Sequence, residues 1–458
     1  MATAMPVVAV DLDAVREYGL AFSLFLIALL LGVVVSGGWS DARGPSWPIR
    51  VGLVLFGGGL VLSGLAQSLT VLLLGRALAG AGGGLLIVAL YVVIAAVYPT
   101  SVQPKVFSYL SAGWVLPSLI GPALAGWLAQ EVTWRAVFLL VPPLTVPPAL
   151  ALLPRLRHIG AADRPATPGP SAGSRVLAGV AVSGGVAVLQ WGLDGLSRPG
   201  GGGSLAGLSG AAAAAGVVLV GLGLPRLLPA GTLRLRRGLP TAVLMRGLFA
   251  ATFFGAETFI PLMLVSHRGI SPTQAGVVLS AGAIGWTSGA FLQSRSWMRM
   301  PRHFMLFTGG VVIGTGQLVL LFLVRPDVSP WLAIPCWVVT AFGMGLGMST
   351  TSVLTLRLSK PGEQGRNSSA LQLSDSLGSA LGIGLTGAAF AAWHSPGGDD
   401  GPLYVGMWLA TAAFAFVAAF VGLRAKPREG WPPVEGPTAA RPREPGAAGP
   451  GAPVAVEN

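Results

Sequence analysis

Three charged residues in otherwise apolar stretches are the strongest candidates for chemistry in this sequence. Glu257 lies in "FFGAETFIPLML", Asp375 in "LQLSDSLGSALG" and Arg76 in "LLLGRALAGAGGG". A charged side chain inside the hydrocarbon core of a membrane is costly and usually faces a cavity or a partner. A carboxyl group can lose its charge by binding a proton, whereas a guanidinium stays charged and needs an acceptor. The three residues therefore predict a site that responds to proton binding.

Each of these residues also has a purely structural interpretation. Glu257 would be paired or hydrated if it lay near the outer end of its helix. Asp375 would hold helices together with its neighbours Ser374 and Ser376. Arg76 would cap carbonyl groups or extend toward the membrane surface. The sequence leaves these alternatives open.

The composition indicates which elements must position these residues. The chain has 458 residues, of which 53% are hydrophobic and only 10% are charged, whereas soluble proteins carry charge on about a quarter of their residues. Apolar runs of about 20 residues, the length that crosses a bilayer as a helix, recur along nearly the whole chain. They predict an all-α polytopic membrane protein with thirteen full spans, at residues 19–38, 50–69, 71–97, 106–129, 135–153, 176–195, 204–224, 239–264, 273–293, 303–324, 331–356, 367–393 and 403–423.

The distribution of Lys and Arg predicts the orientation of these spans, because basic residues concentrate in cytoplasmic loops. If the loop after the first span is cytoplasmic and the spans alternate, 22 of the 29 basic residues lie on that side and five on the other. The net charge of +12 then reflects topology and requires no nucleic-acid partner. We expect a multi-pass protein of the inner (plasma) membrane.

The first twelve residues are apolar but too few to cross a bilayer. In the predicted orientation, residues 1–12 are the outer end of a first helix whose inner part is missing. We expect the start codon to have been assigned inside that helix. The alternative is a protein of thirteen spans whose N-terminal stub lies in the membrane interface.

Two pairs of similar segments indicate an internal repeat. "GGWSDAR" (37–43) and "GAFLQSR" (289–295) each occur at the cytoplasmic end of a span, and the glycine-rich "GRALAGAGGG" (75–84) and "FGMGLGMS" (342–349) follow two spans later. Two similar halves in parallel orientation are typical of secondary transporters. The predicted divisions are an N-terminal six-helix half with a truncated first helix at 1–153, a linker with two extra transmembrane helices at 154–238, a C-terminal six-helix half at 239–424 and a disordered cytoplasmic tail at 425–458.

Four stretches carry a family resemblance: "GGWSDARG" (37–44), "LLLGRALAGAGGG" (72–84), "GWVLPSLIGPALAGWL" (113–128) and "WRAVFLLVPP" (134–143). They resemble the major facilitator superfamily, specifically its fourteen-helix branch of drug:proton antiporters. The first stretch is similar to the signature loop after helix 2, although "PSWPIR" replaces the basic cluster that usually follows. The others are similar to the helix 4 signature, the helix 5 signature of exporters and the opening of helix 6.

The resemblance implies two six-helix halves, with the spans at 176–195 and 204–224 inserted between them. It implies a secondary active transporter, a proton-coupled exporter of small amphipathic compounds or drugs by alternating access. The expected site residues are Glu257, Asp375 and Arg76 for proton coupling, Gly37, Asp41, Arg43 and Gly44 for a gating loop, and Gly121, Pro122 and Gly126 for the antiporter helix.

Several other classes of function find no support in the sequence. There is no phosphate-binding loop of the GxxxxGK[ST] type, the four histidines lack metal-ligand spacing, and the single Cys336 allows no internal disulfide. We therefore expect no enzyme and no cofactor. The expected partners are a small-molecule substrate, protons and the lipid bilayer, with the chain acting as a monomer. Transport of a lipid or metabolite, or a truncated non-transporting membrane protein, remain alternatives.

Overall fold

The computed structural model describes residues 2–98, 103–158, 172–197, 204–295, 297–298, 300–359 and 363–426. The predicted disordered tail lies outside the described residues apart from Ala425 and Lys426. The side chain of Asp41 also lies outside them, as do most side chains in the first half of the helix that begins at Gln103.

The described part of the chain is almost entirely helical. Its α-helices are α1 (Met5–Asp11), α2 (Tyr18–Arg43), α3 (Ser46–Gly64), α4 (Leu69–Val97), α5 (Gln103–Glu131), α6 (Trp134–Leu139), α7 (Val141–Leu152), α8 (Ala172–Ser197), α9 (Ser204–Leu227), α10 (Leu239–Leu262), α11 (Pro272–Ser294), α12 (Arg302–Leu320), α13 (Ala333–Leu358), α14 (Gln364–Trp393) and α15 (Gly401–Gly422).

Within the described residues, twelve helical segments are long and apolar enough to cross a membrane. They match twelve of the predicted spans, with α6 and α7 together forming the segment Trp134–Leu152. The remaining predicted span, 106–129, coincides with the 29-residue helix α5, which is not among the twelve. The chain is therefore a multi-pass membrane protein, and the count of thirteen spans stays a prediction.

Helices are the expected outcome for such a sequence, because lipid offers no partner for backbone N–H and C=O groups. Prolines stand inside several helices, at Pro117 and Pro122 of α5, Pro225 of α9 and Pro261 of α10. Each removes one backbone donor and favours a bend. Transmembrane helices tolerate this because neighbouring helices supply replacement partners.

A glycine ladder packs α4 closely against α2. Gly80 and Gly84 of α4 lie so near the carbonyl oxygens of Phe25 and Leu29 that an added Cβ would overlap them. Small residues at such positions let two helix backbones approach in a membrane. The segment 75–84, singled out by its sequence, is thus the contact surface of α4.

The second glycine ladder has the same role in the C-terminal half. A Cβ at Gly345 of α13 would overlap the carbonyl oxygen of Trp286 in α11, and a Cβ at Gly285 of α11 would overlap that of Val338 in α13. Helix α13 therefore packs on α11 as α4 packs on α2. This equivalence agrees with the internal repeat inferred from the sequence.

Within the described residues, helices of the two predicted halves contact each other at several positions, two of which involve closely packed glycines. In the first, Gly19 of α2 lies against Gly387 of α14. In the second, Gly126 of α5 lies against Pro272 of α11, and Thr273 Oγ1 donates a hydrogen bond to Gln130 Oε1 at 2.8 Å. These contacts lie at the end of the bundle that the basic residues predict to be the outer one, so the halves are packed together there.

The N-terminal segment Ala2–Asp11 lies at the same end. Thr3 Oγ1 donates to the Pro122 carbonyl at 2.7 Å, and Thr3 is fully buried. Asp11 Oδ2 accepts from the Trp134 indole at 2.9 Å and lies 3.3 Å from the Arg135 guanidinium. The N-terminal segment thus contacts α5 through Thr3 and α6 through Asp11.

Helices α8 and α9 form a hairpin-like pair beside the two halves. Gly192 and Gly216 bring the two helices into close contact. Helix α8 packs on α2, where Gly179 contacts Val34, and on α14, where Gln190 Nε2 donates to the Ala380 carbonyl at 2.9 Å. One helix of the linker therefore touches both halves.

The glycine contacts predict opposite effects for two matched substitutions. Gly345→Ala forces α11 and α13 apart and should destabilise the protein by about 1–3 kcal/mol, as overpacking does. Gly58→Ala, inside α3 with nothing within 4 Å of an added Cβ, should be neutral or slightly stabilising, because Ala favours helix over Gly. Thermal unfolding in detergent measures both. Equal midpoints for the two variants would contradict the packing role of the ladder.

Candidate functional site

An ion pair lies in the interior of the C-terminal half. Arg246 Nε of α10 and Asp375 Oδ1 of α14 are 3.3 Å apart, and each side chain is only 17% exposed. Arg246 Nη1 also donates to the Met348 carbonyl at 3.1 Å and to Ser352 Oγ at 3.2 Å, both in α13. One guanidinium therefore connects three helices.

Close helix packing brings the two charges together. A Cβ at Gly378 of α14 would overlap the carbonyl oxygen of Gly247 in α10. Gly247 directly follows Arg246 in the chain, and Gly378 lies three positions after Asp375. On the other side of the carboxylate, Gln372 Nε2 donates to Asp375 Oδ2 at 3.4 Å. The pair is thus fixed by packing and by an additional donor.

The pair lies at membrane depth. At 1.5 Å per residue, Arg246 is about 10 Å from the start of α10, and Asp375 is about 16 Å from the start of α14. Tyr91 of α4, which is 39% exposed, lies within electrostatic range of Arg246.

The sequence analysis singled out Asp375 but not its partner Arg246. A basic residue inside an apolar span is the signal that could have found Arg246, which lies seven residues after the start of α10. The pair joins α10 to α14.

Glu257 lies on the same helix face as Arg246 but is not part of the ion pair. The two residues are eleven positions apart on α10, which is three helical turns and about 16 Å. Glu257 is half-buried. The helix therefore presents two ionisable groups toward one side, at two depths.

Arg76 occupies a separate place between α4 and α2. It is 6% exposed, and its Nε donates to the Ala21 carbonyl at 3.0 Å. The guanidinium carbon lies 4.5 Å from the ring centroid of Phe25 and 5.9 Å from that of Phe22. Carbonyl capping is thus part of its environment, together with cation–π contacts.

The residues of the predicted gating loop lie in the last two turns of α2 and at its C-cap, not in a loop. Gly37 lies within α2, Arg43 is its last residue and is exposed, and Gly44 caps the helix with φ of 79°, a conformation that favours glycine. The Asp41 side chain lies outside the described residues. In the second copy of the motif, Gln293 accepts hydrogen bonds from Arg302 of α12 through its backbone carbonyl, at 3.1 Å, and through Oε1.

The predicted antiporter helix lies at the contact between the halves. Gly126 contacts Pro272, and Gly276 of α11 contacts the Pro122 carbonyl so closely that a Cβ would overlap it. An added Cβ at Gly121 would meet nothing within 4 Å. The expected close packing thus comes from Gly126, not from Gly121.

A small cavity lies between α2, α8 and α14. About 30 Å³ of it is open to the centres of water molecules, enough for roughly two or three waters at 10–15 Å³ each. Arg16, Ser23, Gln190 and Asp194 supply its polar lining. Gln190 is 7% exposed and is hydrogen-bonded to α14.

Among the described residues, no three or more His, Cys, Asp or Glu side chains are grouped to hold a metal ion. The arrangement instead offers carboxylates and guanidinium groups inside a helical bundle. The carboxylates can bind and release protons, and the guanidinium groups, which stay charged, attract the ionised carboxylates.

Comparisons with known proteins fit this architecture. A relative in Mycobacterium tuberculosis, an uncharacterized MFS-type transporter, is 27% identical over 84% of this chain, but the match spans only 56% of that protein's length. Multidrug resistance protein 3 of Bacillus subtilis is 23% identical over 84% of this chain and 75% of its own. The multidrug efflux pump LfrA of Mycolicibacterium smegmatis is 25% identical over 86% of this chain and 77% of its own.

Solved structures share the fold. A peptide transporter POT crystallised with sulfate superposes with a TM-score of 0.63 at 16% identity, covering 92% of this chain and 90% of that one. A human organic anion transporter superposes with a TM-score of 0.55 at 13% identity, and the match covers 88% of this chain and 83% of that one. The model of the Major Facilitator Superfamily matches residues 1–383 and again 242–450. The chain belongs to the Major Facilitator Superfamily.

Proposed function

We propose that the chain is a secondary active transporter that exports small amphipathic compounds in exchange for protons. The observation that carries this proposal is the Arg246–Asp375 ion pair at membrane depth. Its carboxylate can bind a proton, and the electrostatic effect of Arg246 on Tyr91 of α4 extends the influence of this charge to the other predicted half.

The ion pair can exist with Asp375 ionised or protonated, and the two states favour different partners for Arg246. Ionised Asp375 neutralises Arg246, so neither charge stands alone in a medium of low polarity. When Asp375 binds a proton, Arg246 keeps only its contacts with the Met348 carbonyl and Ser352 and is drawn toward other acceptors or water. Inward proton flow supplies about 2.3 kcal/mol per elementary charge and 100 mV, which drives the change.

Glu257 is the second proton-binding group in this proposal. Glu257 lies three turns beyond Arg246 on α10 and therefore offers a second proton-binding position nearer the predicted outer end. Arg76 contributes by holding α4 against α2 through the Ala21 carbonyl, so that α4 moves as part of the N-terminal half.

An aromatic cluster two turns beyond Arg246 along α10, partly exposed at Phe254 and Trp286, suits amphipathic cargo. Phe253 stacks on Trp337 with ring centroids 4.6 Å apart and meets Trp286 edge to face at 5.5 Å. Phe254 and Trp286 are partly exposed. Flat apolar surfaces beside a few polar groups are typical of small-molecule sites. The names of the Bacillus and Mycolicibacterium relatives, which denote multidrug transport, support the same class of cargo.

We infer further that the chain belongs to the fourteen-helix antiporter branch. The pair α8–α9, which lies in sequence between the two halves and packs on α2 and α14, supports this arrangement. The Gly37–Gly44 segment would gate the inner end, and the α5–α11 contact would close the outer end. A monomer in the inner membrane is consistent with this mechanism.

The ion pair predicts a specific pattern in a double-mutant cycle. Asp375→Asn should lower proton-driven export of a cationic dye in proteoliposomes at least tenfold, because the group that binds the proton is lost. Arg246→Gln should lower both export and thermal stability, since it leaves a buried carboxylate unpaired, which costs about 3–5 kcal/mol. The double variant should recover stability but not export.

The exposed pair Arg325–Asp327, with side chains 66% and 71% exposed, provides the matched control. Arg325→Gln with Asp327→Asn removes the same two charge types and should leave export within twofold of the unmodified protein. Unchanged proton dependence in Asp375→Asn would remove the ion pair from the coupling mechanism.

Glu257→Gln should separate coupling from cargo movement. Export driven by an imposed proton gradient should fall at least tenfold, whereas exchange of labelled cargo without a gradient should persist, because the halves can still move. Glu363→Gln, at an ion pair near the start of α14 whose carboxylate is 38% exposed, serves as the control. If Glu257→Gln and Asp375→Asn both leave proton-driven export intact, the coupling assignment is wrong.

The α5–α11 contact predicts different outcomes for neighbouring glycines. Gly126→Ala places a Cβ against the Pro272 carbonyl, prevents closure of this end and should lower export about tenfold or more. Gly121→Ala enters open space and should leave export within twofold. Equal activity of the two variants, at equal amounts of folded protein, would show that closure does not depend on this contact.

A further inference from the structure

Six exposed basic residues gather at the predicted inner end of the bundle, outside the site described above. They lie at the end of α9, in the loop before α10 and just after α15. We call them the basic platform: Arg226, Arg234, Arg236, Arg237, Arg424 and Lys426.

The platform is held in a fixed shape by its backbone. Gly238 N–H donates to the Arg424 carbonyl at 3.2 Å, and Arg424 Nε donates back to the Leu235 carbonyl at 3.0 Å. Thr241 Oγ1 donates to the Arg236 carbonyl at 2.7 Å. The loop and the end of α15 are thus joined, and Arg424 lies beside Arg234 and Arg236.

No carboxylate balances this charge within the described part of the chain. The nearest acids along the sequence are Asp194 and Glu257 around the loop, and Asp400 and Glu429 around the end of α15. Within the described residues, no ion pair involves a member of the platform. Like charges held close together repel each other, so a bound anion is favoured.

Apolar side chains border the platform. Leu233, which precedes the exposed Arg234 in the chain, is 52% exposed. Leu222 of α9 and Phe420 of α15 are 60% and 64% exposed. An exposed Leu inside a basic loop suits the boundary between headgroups and acyl chains. A ligand of this surface should therefore have a negative head and an apolar body.

We propose that the basic platform binds the phosphate headgroup of an anionic membrane phospholipid. The guanidinium groups contact the phosphodiester, and Leu233 lies among the upper parts of the acyl chains. A free phosphate ion would satisfy the cations but not the exposed Leu, which favours the lipid as the source of the anion.

Titration of phosphatidylglycerol into the full chain in neutral detergent, followed by native mass spectrometry, measures the affinity. Arg234→Gln/Arg237→Gln should bind roughly 10–30-fold more weakly, since each basic side chain contributes severalfold near an anionic headgroup. Neither side chain makes a hydrogen bond within the described residues, so folding should be unaffected. Arg234→Lys/Arg237→Lys keeps the charge and should bind within about threefold of the unmodified protein.

The control variant Arg155→Gln/Arg175→Gln removes two exposed cations from the same predicted side and should bind as the unmodified protein does. An equal loss in this control would mean that general charge, not the platform, attracts the lipid. Retained affinity in Arg234→Gln/Arg237→Gln would overturn the proposal, as would equal binding of phosphatidylcholine. If inorganic phosphate competes at concentrations equal to those of the lipid, the site takes a free anion and the lipid assignment is wrong.

Discussion

Backbone-to-backbone contact at glycine positions is the interaction on which the rest of this structure depends. Apolar side chains drive little association between helices in lipid, because the lipid tails are equally apolar. Close approach and the dispersion contacts that it permits must supply the attraction. Gly80 and Gly84 join α4 to α2, and Gly345 joins α13 to α11. Each half of the molecule gains its rigidity in this way.

The polar groups of the interior are consequences of that packing. Gly378 lets α14 approach α10 at Gly247, and this approach places Asp375 beside Arg246. The pair then connects α10, α13 and α14. Tyr91 of α4 lies within electrostatic range of Arg246. Close glycine contacts at Gly19 and Gly126 join helices of the two predicted halves at the opposite, predicted outer end.

The positions of the helices could be read from the sequence because hydropathy at this scale needs no tertiary information. Twelve predicted spans coincide with apolar helices, and the model of the Major Facilitator Superfamily matches most of the chain. The glycine-rich segments of the predicted internal repeat were also visible, and they make similar helix–helix contacts in α4 and α13. Details that depend on an unknown neighbour were not visible. Gly121 shares the glycine pattern of Gly126, but an added Cβ at Gly121 would meet nothing within 4 Å.

The sequence by itself determined that the chain forms membrane-spanning helices, where those helices lie and which charged residues are buried at a cost, because lipid penalises unpaired polar groups wherever they occur. Only the tertiary structure decided which charges meet. Arg246 and Asp375 are far apart along the chain and on different helices, and no local pattern pairs them. Their contact, like the basic platform that brings Arg424 to the loop before α10, results from how helices distant in sequence pack against each other.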